Sequence, residues 1–340
     1  MTTKLSIWQQ NVNKSPTCQH NLISNTSLVD ANIGIVTLQE PAINHLGLTT
    51  ATKEWTVIYP STHTNAPNKT RSVTLIRSSI STDSWNQMEF PSSDVMVTQM
   101  YGDWGKLTVF NIYNDGNSND TISKLTDFHH RNRATIERTD KGSAHVLWMG
   151  DFNRHHPYWD DPNDTRLFTN EAIGASESLI EAVAEAGLKL ALPSGIPTHK
   201  HNVTKKWTRL DQVFISDHSE NILITCDTQP DNRGINTDHL PVLTELNLDA
   251  PTVTKVAAPN FRNVDWEEFG KTLNGHLEKL QPPERIQNQR QLDKSCMDLT
   301  TAIQATIKVC VPKPEIAPKT KRWWTKDLTN AAKEESEQTR

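Results

Sequence analysis

The sequence has few cysteines, no long apolar run and no excess of positive charge. Cys18, Cys226, Cys296 and Cys310 are far apart and form no CxxC pair, which argues against a zinc site or a disulfide framework and predicts reduced thiols. No stretch approaches the ~18 apolar residues of a membrane span, and the N-terminal residues contain no apolar segment typical of a signal peptide. We therefore expect a soluble intracellular protein without a membrane partner.

The net charge excludes a protein that holds nucleic acid by charge alone. The 340 residues include 35 Lys+Arg and 40 Asp+Glu, a formal net charge of −5. This balance does not exclude a nuclease, because an enzyme that binds a divalent metal must concentrate carboxylates at its site. Any contact with DNA is then expected to be local and metal-assisted.

The charge is unevenly distributed, and this division suggests two parts. Residues 251–340 contain 15 Lys+Arg and 12 Asp+Glu, a net of +3, whereas residues 1–250 contain 20 and 28, a net of −8. A composition of 35% hydrophobic and 22% charged residues suits a globular chain, and the length suits one large domain with an appendage, or two domains. We predict a domain at 1–250 and a linker with a helical, mildly basic tail at 251–340.

Short runs of branched and aromatic residues predict many strands in the first 250 residues. They are 5–12, 34–38, 55–59, 72–76, 106–113, 145–149, 212–215, 222–225 and 242–246. Helical spacing occurs between some of these runs, at 121–137 and 172–186. Many strands with few helices indicate an α/β (α+β) fold with much antiparallel sheet, and disfavour a doubly wound parallel sheet.

The pattern changes after residue 248. Residues 249–259 are typical of a linker, and helical patterns follow at 266–280 and 287–309, separated by Pro282-Pro283. A final helical stretch begins at Lys319, in a segment that contains Trp323-Trp324 among basic residues. Such a mixture can stack on nucleic acid, although an amphipathic helix that buries its tryptophans against a further domain is the favoured interpretation.

Polar clusters lie at the ends of six predicted strands, where sheets commonly position functional loops. The clusters are Gln10-Asn11, Gln39-Glu40, 111–113, 150–153, 209–211 and 237–239. Taken alone, each cluster has an ordinary structural explanation. Glu40 suits a solvated loop, Tyr113 suits a strand, and the segment Gly-Asp-Phe-Asn at 150–153 suits a tight turn.

Together, the order and spacing of the six clusters resemble the endonuclease/exonuclease/phosphatase superfamily, which includes deoxyribonuclease I and the apurinic endonucleases. The resemblance covers about residues 4–248. The string Gly-Asp-Phe-Asn-Arg-His-His-Pro-Tyr-Trp at 150–159 is similar to the apurinic-type endonuclease domain of non-LTR retrotransposons. The segments 11–15 and 192–198 also resemble that branch, and 321–328 resembles its connector toward a reverse transcriptase. No reverse transcriptase follows within 340 residues, so a fragment, a decayed copy and a host gene that keeps only the nuclease are all considered.

The resemblance implies a four-layer sandwich of two packed mixed sheets flanked by helices. It also implies hydrolysis of phosphodiester bonds with Mg²⁺, or alternatively Mn²⁺. The implied metal-site residues are Glu40, Asn11 and Asp238.

The resemblance further implies roles for five catalytic residues. Asp151 activates the attacking water, Asn153 and Tyr113 hold the scissile phosphate, and His239 stabilises its developing charge while Asp211 orients the ring. This division suits phosphodiester hydrolysis, which needs a nucleophile and charge neutralisation at the phosphate. An imidazole that faces a carboxylate is held in one tautomer and stays cationic more readily. We predict that Asp151→Ala or His239→Ala abolishes nicking and leaves the fold intact.

Four further residues are candidates for substrate binding: Arg209, Trp207, Thr198 and His156. Arg209 and Trp207 line the DNA cleft in this interpretation, and a packed tryptophan with a surface arginine is the equal alternative. Thr198 contacts DNA or shapes a loop. For His155 and His156, structural or substrate-positioning roles are favoured over a second metal site.

The sequence thus predicts a Mg²⁺-dependent DNA endonuclease that nicks target DNA and leaves a 3′-hydroxyl primer for a non-LTR retrotransposon. The expected partners are DNA and, in the element, a reverse transcriptase domain or element RNA. A nuclear location follows only from DNA as the substrate. The alternatives are a phosphatase or phosphodiesterase of the same fold that acts on other phosphoesters, and a domesticated nucleic-acid-binding module without catalysis.

Overall fold

Residues 4–24, 33–252, 261–281 and 285–312, which the computed structural model describes, form fourteen strands and six α-helices. The strands are β1 Leu5–Asn11, β2 Ile33–Gln39, β3 Trp55–Ile58, β4 Ser72–Arg77, β5 Trp85–Met88, β6 Val95–Gly102, β7 Gly105–Tyr113, β8 Ser143–Asp151, β9 Leu188–Leu190, β10 His199–Lys200, β11 Trp207–Thr208, β12 Asp211–Ser216, β13 Leu223–Thr228 and β14 Val242–Leu246. The helices are α1 Pro16–Ser24, α2 Asp120–Arg131, α3 Arg133–Glu137, α4 Asn170–Glu185, α5 Trp266–Leu277 and α6 Gln289–Cys310.

Two six-stranded sheets share one arrangement. The first sheet has the order β13-β14-β1-β2-β4-β3, and the second has the order β5-β6-β7-β8-β12-β9. In each sheet one parallel pair, β1 with β2 or β7 with β8, lies among antiparallel neighbours. A helical crossover joins the strands of each pair, as parallel pairing requires, with α1 in the first sheet and α2 and α3 in the second.

The two sheets pack face to face over an apolar layer. Ile7, Leu107, Leu147, Val213 and Val242 come from both sheets, and each is at most 1% exposed. The central strands are buried on both faces because helices cover the opposite side of each sheet, so they lack the alternation of a half-exposed strand.

The outer faces of the sheets are covered by helices. Cys18 and Leu22 of α1 pack with Trp8 of the first sheet, whereas Leu125 of α2 and Leu179 of α4 pack on the second sheet. The order of layers is helix, sheet, sheet, helix. The predicted four-layer α/β sandwich of two mixed sheets is therefore confirmed.

Several elements differ from the sequence-based expectation. The helix expected over 121–137 divides at Asn132 into α2 and α3. Strand β5, with the sequence Trp-Asn-Gln-Met, was not expected because its mostly polar residues give no strand pattern. Helix α1 was also missed, although Ser15 before Pro16 is a cap signal and the Ser15 hydroxyl accepts the N–H of Cys18.

The chain divides into two units, Met1–Val253 and Thr254–Arg340. In the described part of the second unit, Asp265 caps α5 and Asn288 caps α6 through side-chain oxygens, and the two helices contact each other. Most of the expected linker, the Pro282-Pro283 break and the Trp323-Trp324 segment lie outside the described residues. Within the described ranges, no helix has both the length and the apolar character needed to cross a bilayer.

Candidate active site

Three neighbouring strands of the second sheet bring their polar residues to one level. Tyr113, which ends β7, is in register with Asp151, which ends β8. Asp151 is in turn opposite Asp211, which begins the antiparallel strand β12. Because paired residues in adjacent strands lie about 5 Å apart, the sheet itself places these three side chains together.

The first sheet contributes residues from the corresponding ends of its parallel pair. Asn11 ends β1 and is in register with Gln39, which ends β2 and precedes Glu40. His239 lies just before β14, which runs antiparallel to β1. Asn11 donates to the Asp151 carboxylate at 2.9 Å, so the strand ends of the two sheets meet.

Asp151 lies at the centre of this cluster and is 1% exposed. One carboxylate oxygen accepts the Asn11 amide, and the other accepts the backbone N–H of Asn153 at 3.0 Å. Burial raises the pKa of Asp151 well above its ordinary value, and the positive charge of His239 offsets only part of this rise. A carboxylate with a raised pKa can accept a proton near neutral pH, which suits a general base.

His239 is paired with Asp211, as expected from the sequence. The imidazole Nδ1 donates to the Asp211 carboxylate at 2.8 Å, and the other ring nitrogen, Nε2, lies 3.9 Å from Asp151. Burial alone would lower the pKa of His239, but Asp211, followed by Asp151 and Asp238, raises it above its ordinary value. The imidazole therefore remains cationic and directs Nε2 toward the catalytic carboxylate.

Glu40 follows β2 in a left-handed backbone conformation, with φ 47°. Its N–H donates to the Arg71 carbonyl at 2.8 Å. The Glu40 carboxylate is 20% exposed and lies 3.7 Å from the Lys14 ammonium. The Asn11 amide lies 3.4 Å away and also holds Asp151. A partly exposed carboxylate beside a buried one is a donor set that fits a hard divalent cation such as Mg²⁺.

Asn11 has a different orientation from the one expected of a metal ligand. Its side-chain oxygen accepts the N–H of Asn13 at 2.8 Å, so the nitrogen of the amide faces Glu40 and Asp151. An amide nitrogen donates hydrogen bonds and does not bind metal. In this arrangement Asn11 positions the two carboxylates.

A second group of possible metal ligands consists of His199, Asp238 and His239, whose ligand atoms all lie within 4.8 Å of one another. A hydrogen bond with His199 is the main cause that lowers the pKa of Asp238, and Asn202 donates to the same carboxylate at 2.9 Å. Asp238 and His239 are among the residues expected from the sequence, and His199 is not. The segment Pro-Thr-His at 197–199 carries no signal until the fold places it beside 238–239.

Tyr113 is held by an arginine that the sequence analysis also missed. The Arg71 guanidinium lies 4.8 Å from the centre of the Tyr113 ring and donates to both Asp94 and Asp115. Burial, followed by the charge of Glu40, raises the pKa of Tyr113. The phenol therefore stays protonated and can donate to a phosphate oxygen. The one signal for Arg71 in the sequence is its position directly before the predicted strand 72–76.

Asn153 has a left-handed backbone, with φ 50°. Its side-chain nitrogen donates to the Asn114 carbonyl at 2.9 Å. This bond uses one of the two amide hydrogens and leaves the other free to donate. The structure thus places Asn153 beside Asp151 with donor capacity available for a phosphate oxygen.

A chain of buried amides joins the two sheets beneath the site. Gln9 donates to Asp211 at 2.8 Å and to Gln39 at 3.1 Å, and Gln39 donates to Asn111 at 2.7 Å. Asn111 in turn donates to the Val73 carbonyl. Gln10 lies on the opposite face of β1 and donates to the Arg233 carbonyl. The period of two along a strand indicates that Gln9, and not Gln10, accompanies Asn11.

Arg209 and Thr198, two of the four substrate-binding candidates, make their hydrogen bonds within the fold. Arg209 is 1% exposed and donates to Gln212 and to the carbonyls of Leu192 and Pro193. Because these partners are within the fold, the guanidinium holds the 192–193 loop. Thr198 is fully buried, and its hydroxyl accepts the N–H groups of 210 and 211, so it shapes the loop that carries Asp211.

His156 and Trp207 have different surroundings. His156 borders a cavity of about 220 Å³ with Ile180 and Val183 of α4, on the helical side of the second sheet. This position favours the structural role, one of the two roles expected for His156. His155 lies 3.3 Å from both oxygens of buried Asp160, in keeping with a structural role. Trp207 remains 41% exposed on the β10–β11 hairpin, with the Lys200 ammonium 5.2 Å from its ring centre.

Comparisons with known proteins concern the family and the fold. The model of a family described as endonuclease-reverse transcriptase matches residues 107–243. No curated protein sequence matches the chain significantly.

Three solved structures illustrate the similarity in fold. The endonuclease domain of TRAS1, a telomere-specific non-LTR retrotransposon, matches with 14% identity and a TM-score of 0.55, over 72% of this chain and 99% of that domain. The AP endonuclease LMAP from Leishmania major has 13% identity and a TM-score of 0.56, over 72% and 88% of the two chains. The 3′-5′ exonuclease NExo from Neisseria meningitidis has 18% identity and a TM-score of 0.54, over 72% and 100%.

The chain therefore has the DNase I-like fold. Its resemblance to the endonuclease/exonuclease/phosphatase superfamily, and to the apurinic-type endonuclease of non-LTR retrotransposons, is confirmed. These matches support a nuclease or phosphoesterase of this fold.

Proposed function

We propose that the chain is a Mg²⁺-dependent DNA endonuclease that nicks target DNA for a non-LTR retrotransposon and leaves a 3′-hydroxyl primer. The observation that carries the proposal is the continuous set of contacts from Glu40 through Asn11 to Asp151, His239 and Asp211. This set contains a metal-type carboxylate, a buried base and a cationic imidazole, which together meet the needs of phosphodiester hydrolysis.

In the proposed mechanism one residue activates the attacking water and the others bind the phosphate. Asp151 accepts a proton from the attacking water, because its raised pKa makes it basic near neutrality. His239 directs Nε2–H toward a non-bridging phosphate oxygen, and Asp211 keeps this imidazole cationic. Tyr113 and Asn153 hold the phosphate with neutral donors. Mg²⁺, held by Glu40 and Asp238, would supply charge neutralisation at the phosphate.

The remaining parts of the proposal concern the setting of the enzyme. Residues 1–250 would form the nuclease domain, and 251–340 would connect it to a reverse transcriptase domain in the element. DNA as the substrate implies action in the nucleus. Among the residues first considered for substrate binding, exposed Trp207 is the one retained for DNA contact.

The test is a nicking assay with supercoiled plasmid, run in Mg²⁺ and in excess chelator, beside a panel that includes phosphomonoesters and sphingomyelin. We expect chelator-sensitive conversion of supercoiled plasmid to open circles with 3′-hydroxyl ends, and no comparable release of phosphate from the panel. Asp151→Ala and His239→Ala are expected to abolish nicking while circular dichroism stays unchanged. Turnover of the panel without nicking would instead assign the site to another phosphoester, and DNA binding without any turnover would assign a binding module.

A further inference from the structure

Two chain segments pair closely at one side of the proposed active site. The Lys200 N–H donates to the Asp238 carbonyl at 2.8 Å, and the Leu240 N–H donates to the Thr198 carbonyl at 2.6 Å. Between these bonds, His199 and His239 form an antiparallel bridge. The backbone therefore fixes the relative positions of two imidazoles and the carboxylate between them.

The two imidazoles direct the same ring atom toward that carboxylate. The Nδ1 atom of His239 is bonded to Asp211 at 2.8 Å, and the Nδ1 atom of His199 is bonded to the Thr208 hydroxyl at 2.9 Å. The Nε2 atoms then lie 3.9 Å and 3.5 Å from the two oxygens of Asp238. Partners on Nδ1 are the arrangement that orients histidines in protein metal sites.

The chemistry of this donor set differs from that around Glu40. Two imidazole nitrogens and one carboxylate form the ligand set of zinc and similar transition-metal ions, whereas Mg²⁺ favours oxygen ligands and its own water. The three side chains are 12%, 16% and 7% exposed, so an ion can reach them from solvent. Bonds of ~2.0–2.1 Å to zinc place tetrahedral ligand atoms roughly 3.4 Å apart, so ligands within 4.8 Å need only a small closing movement.

We propose that His199, Asp238 and His239 bind a transition-metal ion, with Zn²⁺ favoured, through a ligand set that shares only Asp238 with the proposed Mg²⁺ site. Binding there would release the Nε2 proton of His239 to solvent and occupy Nε2 with the metal, so His239 could no longer donate to a phosphate oxygen. It would also recruit Asp238 away from Mg²⁺. The site is thus inhibitory for nicking, and this second part of the inference rests on the proposed function, whereas the binding itself does not.

The binding test uses the full chain, Zn²⁺ and a competing fluorescent chelator. We expect one site in the wild-type protein and an affinity at least roughly 10- to 100-fold lower in His199→Gln, because loss of a partner outside the ligand shell already has this effect and His199 is a ligand. His201→Gln is the matched control, because the His201 ring is 6.4 Å from that of His199 and its Nδ1 accepts the N–H groups of Val203 and Thr204. Equal Zn²⁺ affinity in wild type and His199→Gln would overturn the proposal.

Co²⁺ provides an independent readout of the ligands. Wild type and His201→Gln should give the intense visible absorption of four-coordinate cobalt, and His199→Gln should lose most of it. Loss of the signal in His201→Gln with retention in His199→Gln would place the ion elsewhere.

The inhibitory part is tested by adding Zn²⁺ to nicking reactions in Mg²⁺. We expect His199→Gln to need at least roughly tenfold more Zn²⁺ for half inhibition than His201→Gln, in line with its lower affinity. Glu40→Gln separates the two proposals, because it should need more Mg²⁺ for nicking and keep wild-type Zn²⁺ affinity. Absence of nicking in every variant, with the His199 effect on Zn²⁺ binding intact, would refute the proposed nuclease and retain the metal site. Bound Zn²⁺ without inhibition of an active nuclease would refute the inhibitory role.

Discussion

The two sheets of the molecule have the same strand arrangement but contribute different chemistry. At the ends of its parallel pair, the first sheet places Asn11 and Glu40, and the second places Tyr113 and Asp151. The Glu40 carboxylate is 20% exposed and the Asp151 carboxylate 2%. An exposed carboxylate can exchange water for metal, whereas burial makes a carboxylate a stronger base. Under the proposed function, one architecture thus supplies a metal side and a proton-transfer side, distinguished by the solvation of one residue in each sheet.

The largest effect is expected on the proton-transfer side. Asp151→Asn keeps the size of the side chain and its bond to the Asn153 N–H but removes the base, so we expect nicking to fall by roughly 10³-fold. Extra Mg²⁺ or Mn²⁺ should not restore the rate, which is measured by single-turnover plasmid nicking. Recovery at high metal concentration would mean that Asp151 chiefly binds the metal. The two sheets would then not have different roles.

A smaller and reversible effect is expected on the metal side. Glu40→Gln removes a charged ligand, and we expect the Mg²⁺ concentration for half-maximal nicking to rise roughly 10- to 100-fold. The rate at saturating Mg²⁺ should remain well above that of Asp151→Asn. Titration of Mg²⁺ at fixed DNA measures both quantities, and an unchanged midpoint would contradict the assignment of Glu40.

The bridge between the sheets allows a finer test. Gln9→Met keeps the side-chain volume but removes the donor that lies 2.8 Å from Asp211 and 3.1 Å from Gln39. A hydrogen bond to a carboxylate is worth about 1.5 kcal/mol, so we expect a fall in kcat of about tenfold with little change in KM. Ser6→Ala, at a buried position of β1 on the same sheet, is the control. An equal fall in both variants would point to general loosening of the strand.

The smallest effect concerns the opposite end of β8. His145 is buried there, bonded to Ser219 at 2.6 Å, and burial followed by the charge of His218 lowers its pKa from 6.5 to about 4. The unfolded chain therefore binds a proton at pH 5 that the folded chain does not. The free energy of unfolding should fall as the pH drops from 6.5 to 4.

Urea unfolding across this range should give a shallower pH dependence for His145→Gln than for wild type. Part of the dependence will remain, because burial also lowers the pKa of His129. Identical pH profiles would show that His145 is not responsible. Near Asp151, at the other end of β8, the pKa of His239 is shifted in the opposite direction, because carboxylates surround the ring.

Sequence patterns predicted many of the strands and the polar residues at their ends because both follow from local signals. Runs such as 34–38 and 145–149 are apolar enough to identify buried strands, and the polar residues directly after them mark the ends. The four layers and the pairing of Asp211 with His239 came from the family resemblance, because the order of the six clusters carries it.

The rest depended on contacts that sequence spacing does not encode. Arg209 precedes a strand as a surface arginine would, yet the fold encloses it among carbonyls of the 192–193 loop. His199 comes near Asp238 only through a backbone bridge across 40 residues of chain. The orientation of the Asn11 amide depends on the turn at Asn13. Tertiary hydrogen bonds determine these positions and orientations, and sequence spacing does not predict such bonds.

Glu40 and Asn153 hold functional side chains on left-handed backbone, with φ 47° and 50°. Non-glycine residues are disfavoured there, by ~1–2 kcal/mol for most side chains and less for asparagine. Glycine at position 40 would therefore relax the backbone while removing the carboxylate. A search for thermostable variants would therefore favour this substitution. Under the proposed function, glutamate at this conformation exchanges backbone stability for a metal ligand.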